Sequence, residues 1–145
     1  MTVDPRAGER GQSLVEFALV LPIFLLIALG LFELSRAVWQ ENTLAYAARE
    51  GTRYAIVHGS GAGADAVYPG NRQPIVDVVR AASVGVSNVT VVSDWPDLRP
   101  TPCYDRSCRV SVEASAPFVP LPSQYLLGGA FRITLRGGSM LVIQR

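Results

Sequence analysis

The sequence contains no lysine; its thirteen basic residues are all arginine, scattered along the chain, and the net charge is only +1. That excludes the polybasic arm or stripe on which binding to a phosphate backbone depends, so no nucleic-acid partner is expected. Histidine and cysteine are nearly as scarce: one histidine, His58, and two cysteines, Cys103 and Cys108, which enclose Tyr-Asp-Arg-Ser. Two thiolates need two more ligands to hold zinc, and His58 is far away in sequence, so no metal site is expected. The close pair reads as a small disulfide in an oxidising compartment, or else as two free thiols. There is no internal repeat.

Catalytic groupings are also missing. His58 has no base or nucleophile at a suggestive spacing, and Asp94, Asp97 and Asp105 read as solvated loop acids in preference to a cation site. Gly59-x-Gly61-x-x-Ala64 fits a loose dinucleotide fingerprint, but that fingerprint needs a strand before it and a long helix after it. Here a helix precedes it and Pro69-Gly70 soon interrupts. The stretch is expected to be a flexible loop, and the chain is expected to be neither an enzyme nor a cofactor binder.

What the chain has in excess is one apolar run. Phe17 to Phe32 carries no charge. Extended to Leu14–Leu34 it gives about 21 residues, or about 31 Å of helix, enough to cross a hydrocarbon core. Its apolar residues go all round the helix, unlike an amphipathic surface helix. A cleaved secretory signal is disfavoured, because the run is long and no small-x-small site stands out at its end. A buried core helix is disfavoured because roughly 90 residues remain to cover it, near the lower limit for a self-sufficient core. Arginines flank both ends, so charge alone does not orient the span; the cysteine pair favours an extracytoplasmic C-terminal part.

Glu16 sits just inside this run. An acid there is costly and usually has a partner or a task, although a helix N-terminus alone favours negative charge. The surrounding string is more specific: Arg10-Gly11, then four residues, then Glu16-Phe17, then the apolar run. With the later segment Ala47-Ala-Arg-Glu-Gly-Thr-Arg-Tyr-Ala55, the chain resembles the type IV prepilins. Within that class it resembles the TadE-like minor pilins, or pseudopilins, of tight-adherence pilus systems. The resemblance covers roughly residues 10–57.

The resemblance implies cleavage by a membrane prepilin peptidase between Gly11 and Gln12. It implies a role for Glu16 and Phe17 in recognition and assembly, Glu16 pairing with the N-terminal amine of a neighbouring subunit. The expected partners are the peptidase, other pilins, assembly-platform proteins and membrane lipid. The expected organisation is a leader over 1–11, a transmembrane helix over 12–35, a helical extension over 36–58 and a small extracytoplasmic domain over 59–145. The alternative is a single-pass anchored extracytoplasmic binding domain unrelated to pili.

The expected fold class is α+β and pilin-like: a long N-terminal helix packed on a small antiparallel sheet of three to four strands. Along the extension, Glu33–Arg36 and Glu50–Arg53 are spaced to pair on one helix face. Leu44, Ala48, Gly51 and Ala55 form a small-residue stripe, to pack on the domain's own sheet or on another pilin helix. Trp39 suits a membrane interface. Gln73–Ser83 reads as a helix with Ile75, Val76, Val79 and Ala82 on one face. Strands are expected over Asn88–Ser93, Cys108–Ala116, Phe131–Leu135 and Ser139–Ile143. Pro117, Pro120 and Pro122 should end the second, and Gly137-Gly138 should form a hairpin turn or a bulge.

Overall fold

The computed structural model describes residues 6–97, 103, 105–126 and 128–144. Helix α1 spans Arg6–Val57. A 3-10 segment, Ser60–Asp65, follows it, then helix α2 over Gln73–Ala82 and strand β1 over Thr90–Asp94. Strand β2 covers Arg109–Phe118, a short helix α3 covers Leu121–Leu126, and strand β3 covers Ile133–Val142. The chain divides into two compact units, Met1–Arg36 and Ala37–Arg145.

The described residues of the first unit are helix alone. Its apolar side chains, from Leu14 through Phe32, are exposed on every side. The helix is long and apolar enough to cross a membrane, and its most apolar window buries nothing within the chain. Near its end, Glu33 and Arg36 pair at 3.1 Å as their spacing predicts, and Glu33 is only 9% exposed.

The second unit is α+β, with residues 37–57 of α1 lying on a three-stranded antiparallel sheet of order β1-β2-β3. Alternation in β2 decides which face is buried: Val110, Val112, Ala114, Ala116 and Phe118 point inward, and the residues between them point outward. The inward row meets Leu44, Ala47, Ala48 and Ala55 of α1 and Ile75 and Val79 of α2. All four members of the small-residue stripe are buried, so the stripe packs within its own domain. A Cβ at Gly51 would overlap Val79 and come within 3.3 Å of Val112 Cγ1. Trp39 is half exposed, with its ring against Gly85.

Four local expectations are corrected. Gly137 and Gly138 form no turn; β3 runs straight through them, paired with Ala114 and Glu113. The expected strands over Phe131–Leu135 and Ser139–Ile143 are therefore one strand. A Cβ at Gly137 would overlap the backbone of Leu44 and Ala45, so glycine is what lets α1 cross the strand closely. Pro117 does not end β2 either. Ile143 donates its amide to Cys108 O at 2.8 Å, which turns the odd-numbered amides of β3 toward β2. By the fixed register, the odd-numbered amides of β2 then face β1. Since β1 stops opposite Ser115, the missing N–H of Pro117 falls where no strand would accept it. The Pro117 carbonyl on that side accepts a bond from Gln40 Nε2 at 3.4 Å.

The remaining two corrections concern loops. β1 starts at Thr90 because Asn88 is left-handed, at φ +56°, a conformation asparagine tolerates and a strand does not. The expected flexible loop after α1 is instead the 3-10 segment. His58 stacks on Tyr54 at 4.0 Å between ring centroids and holds Tyr54 O at 2.8 Å through Nδ1.

Candidate processing and assembly segment

Gly11, Gln12, Glu16 and Phe17 all lie on α1, in the first unit. A Cβ at Gly11 would meet nothing within 4 Å, so packing within the chain does not require glycine there. Gln12 and Glu16 are one helical turn apart, and Gln12 Nε2 donates to Glu16 Oε1 at 3.1 Å. Glu16 is exposed, and Phe17 beside it is 64% exposed. The four residues therefore make one outward-facing stretch with a carboxylate at its apolar end. The side chain of Arg10 lies outside the described residues.

Cys103 and Cys108 belong to the second unit. They are joined as a disulfide, with Cα atoms 5.8 Å apart, inside the range that geometry requires. Two bonds link the intervening loop to the end of β3: Arg106 Nε donates to Gln144 O at 3.0 Å, and Ser107 N to Ile143 O at 3.3 Å. Gln144 N in turn donates to Ile56 O at 2.9 Å, which satisfies a carbonyl that the C-terminus of α1 would otherwise leave unpaired. The disulfide loop, the last strand and the end of the long helix thus form one knot. The covalent link is suggested by the sequence; the knot is not, because it depends on where β3 ends in space.

Asp97 has a task that the sequence did not reveal. Its carboxylate accepts from Arg109 Nη2 at 2.7 Å and from the Arg109 amide at 2.6 Å. That amide faces β1 but lies beyond its end, so Asp97 takes the place of a strand neighbour. The bond and the nearby negative charge raise the Arg109 pKa further above its ordinary value. A detectable signal was the position of Asp97, just past β1, with an arginine opening β2. Among the described residues, Asp94 and Asp105 make no comparable contact, and no three His, Cys, Asp or Glu side chains gather where they could hold a metal ion.

Residues 11–53 match the family model described as TadE-like protein. No curated protein matches the chain, and no solved structure does. The match begins at Gly11 and ends at Arg53. It thus takes in the outward-facing stretch, the apolar span, and the part of α1 that carries Leu44, Ala48 and Gly51. Over this segment the chain is similar to the TadE-like proteins.

Proposed function

We propose that the chain is a minor pilin or pseudopilin for a tight-adherence type IV pilus, cut after Gly11 by a prepilin peptidase. The observation that carries this reading is the family match, which starts at Gly11 and runs on through Gln12, Glu16 and the apolar span. Two physical points support it. Gly11 is not needed for packing, and glycine within a helix costs about 1 kcal/mol relative to alanine. It therefore lowers the work of unwinding α1 for a peptidase to reach the bond. Glu16, which accepts from neutral Gln12 among the described residues, is available to a cation from outside. The amine freed at Gln12 of a neighbouring subunit is that cation.

In this reading the chain is a substrate and a structural subunit, not an enzyme, and the peptidase supplies the catalytic acids. α1 anchors it in the cytoplasmic membrane with its N-terminus inside and Ala37–Arg145 outside, where an oxidising compartment keeps the Cys103–Cys108 bond. Its partners are the peptidase, other pilins, the assembly platform and lipid. The test is co-expression with a prepilin peptidase, followed by sequencing of the mature N-terminus. Gln12 is expected as the first residue, with slowed or blocked cutting in Gly11→Ala. An N-terminus that never maps to Gln12 would remove the proposal's foundation.

A further inference from the structure

One end of the sheet gathers two connections and the place where the chain enters the second unit. The last pair of β2 and β3 there is Phe118–Ile133, and Thr90, which opens β1, pairs with Ser115 nearby. The connections 83–89 and 119–132 therefore both lie beyond that end. Residues 37–57 of α1 run along β3 in the same sense as the strand: Gly137 lies against Ala45, Thr52 donates to Ser139 O at 3.4 Å, and Gln144 N donates to Ile56 O. The start of this stretch thus belongs to the same end. Two contacts fix it there: Gln40 donates to Pro117 O, and the Trp39 ring lies against Gly85.

The two ends of the sheet differ in chemistry. The connections 83–89 and 119–132 carry one charged residue between them, Arg132. The connection 95–108, at the opposite end, carries Asp97, Arg99, Asp105 and Arg106. At the entry end Val84 is 74% exposed, Tyr125 78% and Phe131 60%. The exposure of Phe131 is built into its loop. Buried Ser123 accepts from the Phe131 amide at 3.0 Å and donates to its carbonyl at 3.1 Å, so the backbone is pinned while the ring is left in solvent.

We propose that this end of the second unit rests on the headgroup layer of the phospholipid bilayer that the apolar span enters, with Trp39, Tyr125 and Phe131 in the interface and Arg132 against headgroup phosphate. The chain itself names the occupant. Leu34 ends the apolar run, and Trp39 follows five residues later, about 7.5 Å at helical rise. The headgroup layer is about 5–7 Å deep on each side of the hydrocarbon. A bilayer that holds the span is therefore within reach of this end through the chain's own connection. Aromatic rings with a polar tip favour that layer, and arginine suits lipid phosphate. A carboxylate would be repelled there, and neither connection contains one. The inference rests on the proposed anchoring by α1, but not on cleavage at Gly11 or on which side of the membrane the second unit faces.

The test uses the full chain in phosphatidylcholine nanodiscs, with and without lipid brominated near the top of its acyl chains, which quenches tryptophan on contact. Trp39 is replaced by phenylalanine; Trp95, buried at the opposite end, stays as a constant background. One tryptophan is then added at a time. Phe131→Trp and Tyr125→Trp should each lose fluorescence to the brominated lipid and emit further to the blue than Tyr68→Trp. Tyr68 is exposed beyond the C-terminal end of α1, and a tryptophan there should keep its fluorescence. In the Tyr125→Trp protein, Phe131→Glu should weaken the quenching and Phe131→Leu should preserve it. Neither change removes the Ser123 bonds, which go to the Phe131 backbone. Phe24→Trp, inside the span, separates the two readings. If it is quenched while Phe131→Trp is quenched no more than Tyr68→Trp, the docking is refuted and the anchor stands. If Phe24→Trp is itself unquenched, the anchor reading falls and the docking falls with it. Shielding of Phe131→Trp that needs an added protein, with none from lipid, would also overturn the proposal.

Discussion

Gly137 and Gly138 are neighbours in one strand, yet adding a methyl group should act in opposite directions at the two. At Gly137 the new Cβ would overlap Ala45 N, Ala45 Cα and Leu44 C. These are backbone atoms of a helix, and no rotamer change moves them. Relief requires α1 to lift off β3, which loosens the packing of Leu44 and Ala48. Overpacking of this kind costs about 1–3 kcal/mol, and the gap opened around Leu44 adds to it, so Gly137→Ala should cost roughly 3 kcal/mol. At Gly138 the Cβ meets only one atom, at 4.0 Å. Gly138→Ala should therefore be neutral, or stabilising by about 0.4–1 kcal/mol, because it narrows the unfolded ensemble. For a unit of this size each kcal/mol shifts Tm by about 4 °C or more. Thermal unfolding of the full chain in detergent, followed by tryptophan fluorescence, should show Gly137→Ala about 10 °C or more below the parent. Gly138→Ala should lie within a few degrees of the parent, or above it. Equal Tm values for the two variants would refute the idea that α1 crosses β3 at Gly137.

Glu16→Val should leave cleavage after Gly11 largely intact but reduce piliation in a complemented strain; equal piliation would count against the assembly role. Asp97→Ala should speed hydrogen exchange at the Arg109 amide, which loses its acceptor, while the Val112 amide, bonded within the sheet, should change little. Replacing Cys103 and Cys108 with serine should lower stability by about 2 kcal/mol on the loop-entropy model. It should also speed exchange at Gln144 N, whose bond to Ile56 O belongs to the same knot; a stable variant with unchanged exchange would show that the loop is held without the bond. Gly51→Ala should cost less than Gly137→Ala, because its nearest clash is with the Val79 side chain, which can turn aside.

Much of this architecture was legible in the sequence because the signals were local. The apolar run reads as a span from its length alone, and the alternation of Val110, Val112 and Ala114 reads as a half-buried strand. The ion pairs Glu33–Arg36 and Glu50–Arg53 follow from helical spacing. The misreadings concern residues whose meaning depends on a distant neighbour. Gly-Gly is a turn signal in isolation, but Gly137 serves a helix that passes over it. Proline is a strand breaker in isolation, but the cost of Pro117 depends on where β1 stops. Helix α3 was hidden because Pro120 and Pro122 read as a break, whereas proline is well tolerated in the first turn of a helix. For the candidate processing segment, the string from Gly11 to Phe17 carried nearly all of the reading, since the chemistry proposed for it takes place between molecules and leaves little trace in the fold of one.

Thr52, on the buried side of α1, contacts Ser139 on β3, 87 residues further along the chain. Residues 37–57 of α1 therefore wait for their covering strand until almost all of the described chain has been made. During that interval Leu44, Ala48 and Ala55 are bare beside an apolar anchor, and the segment is then most exposed to proteases and to premature association. On the proposed orientation, export and folding are thus coupled in time: the sheet cannot shield the helix until its last strand arrives. A chain halted before Ile133 would leave Leu44, Ala48 and Ala55 with no third strand to complete their cover.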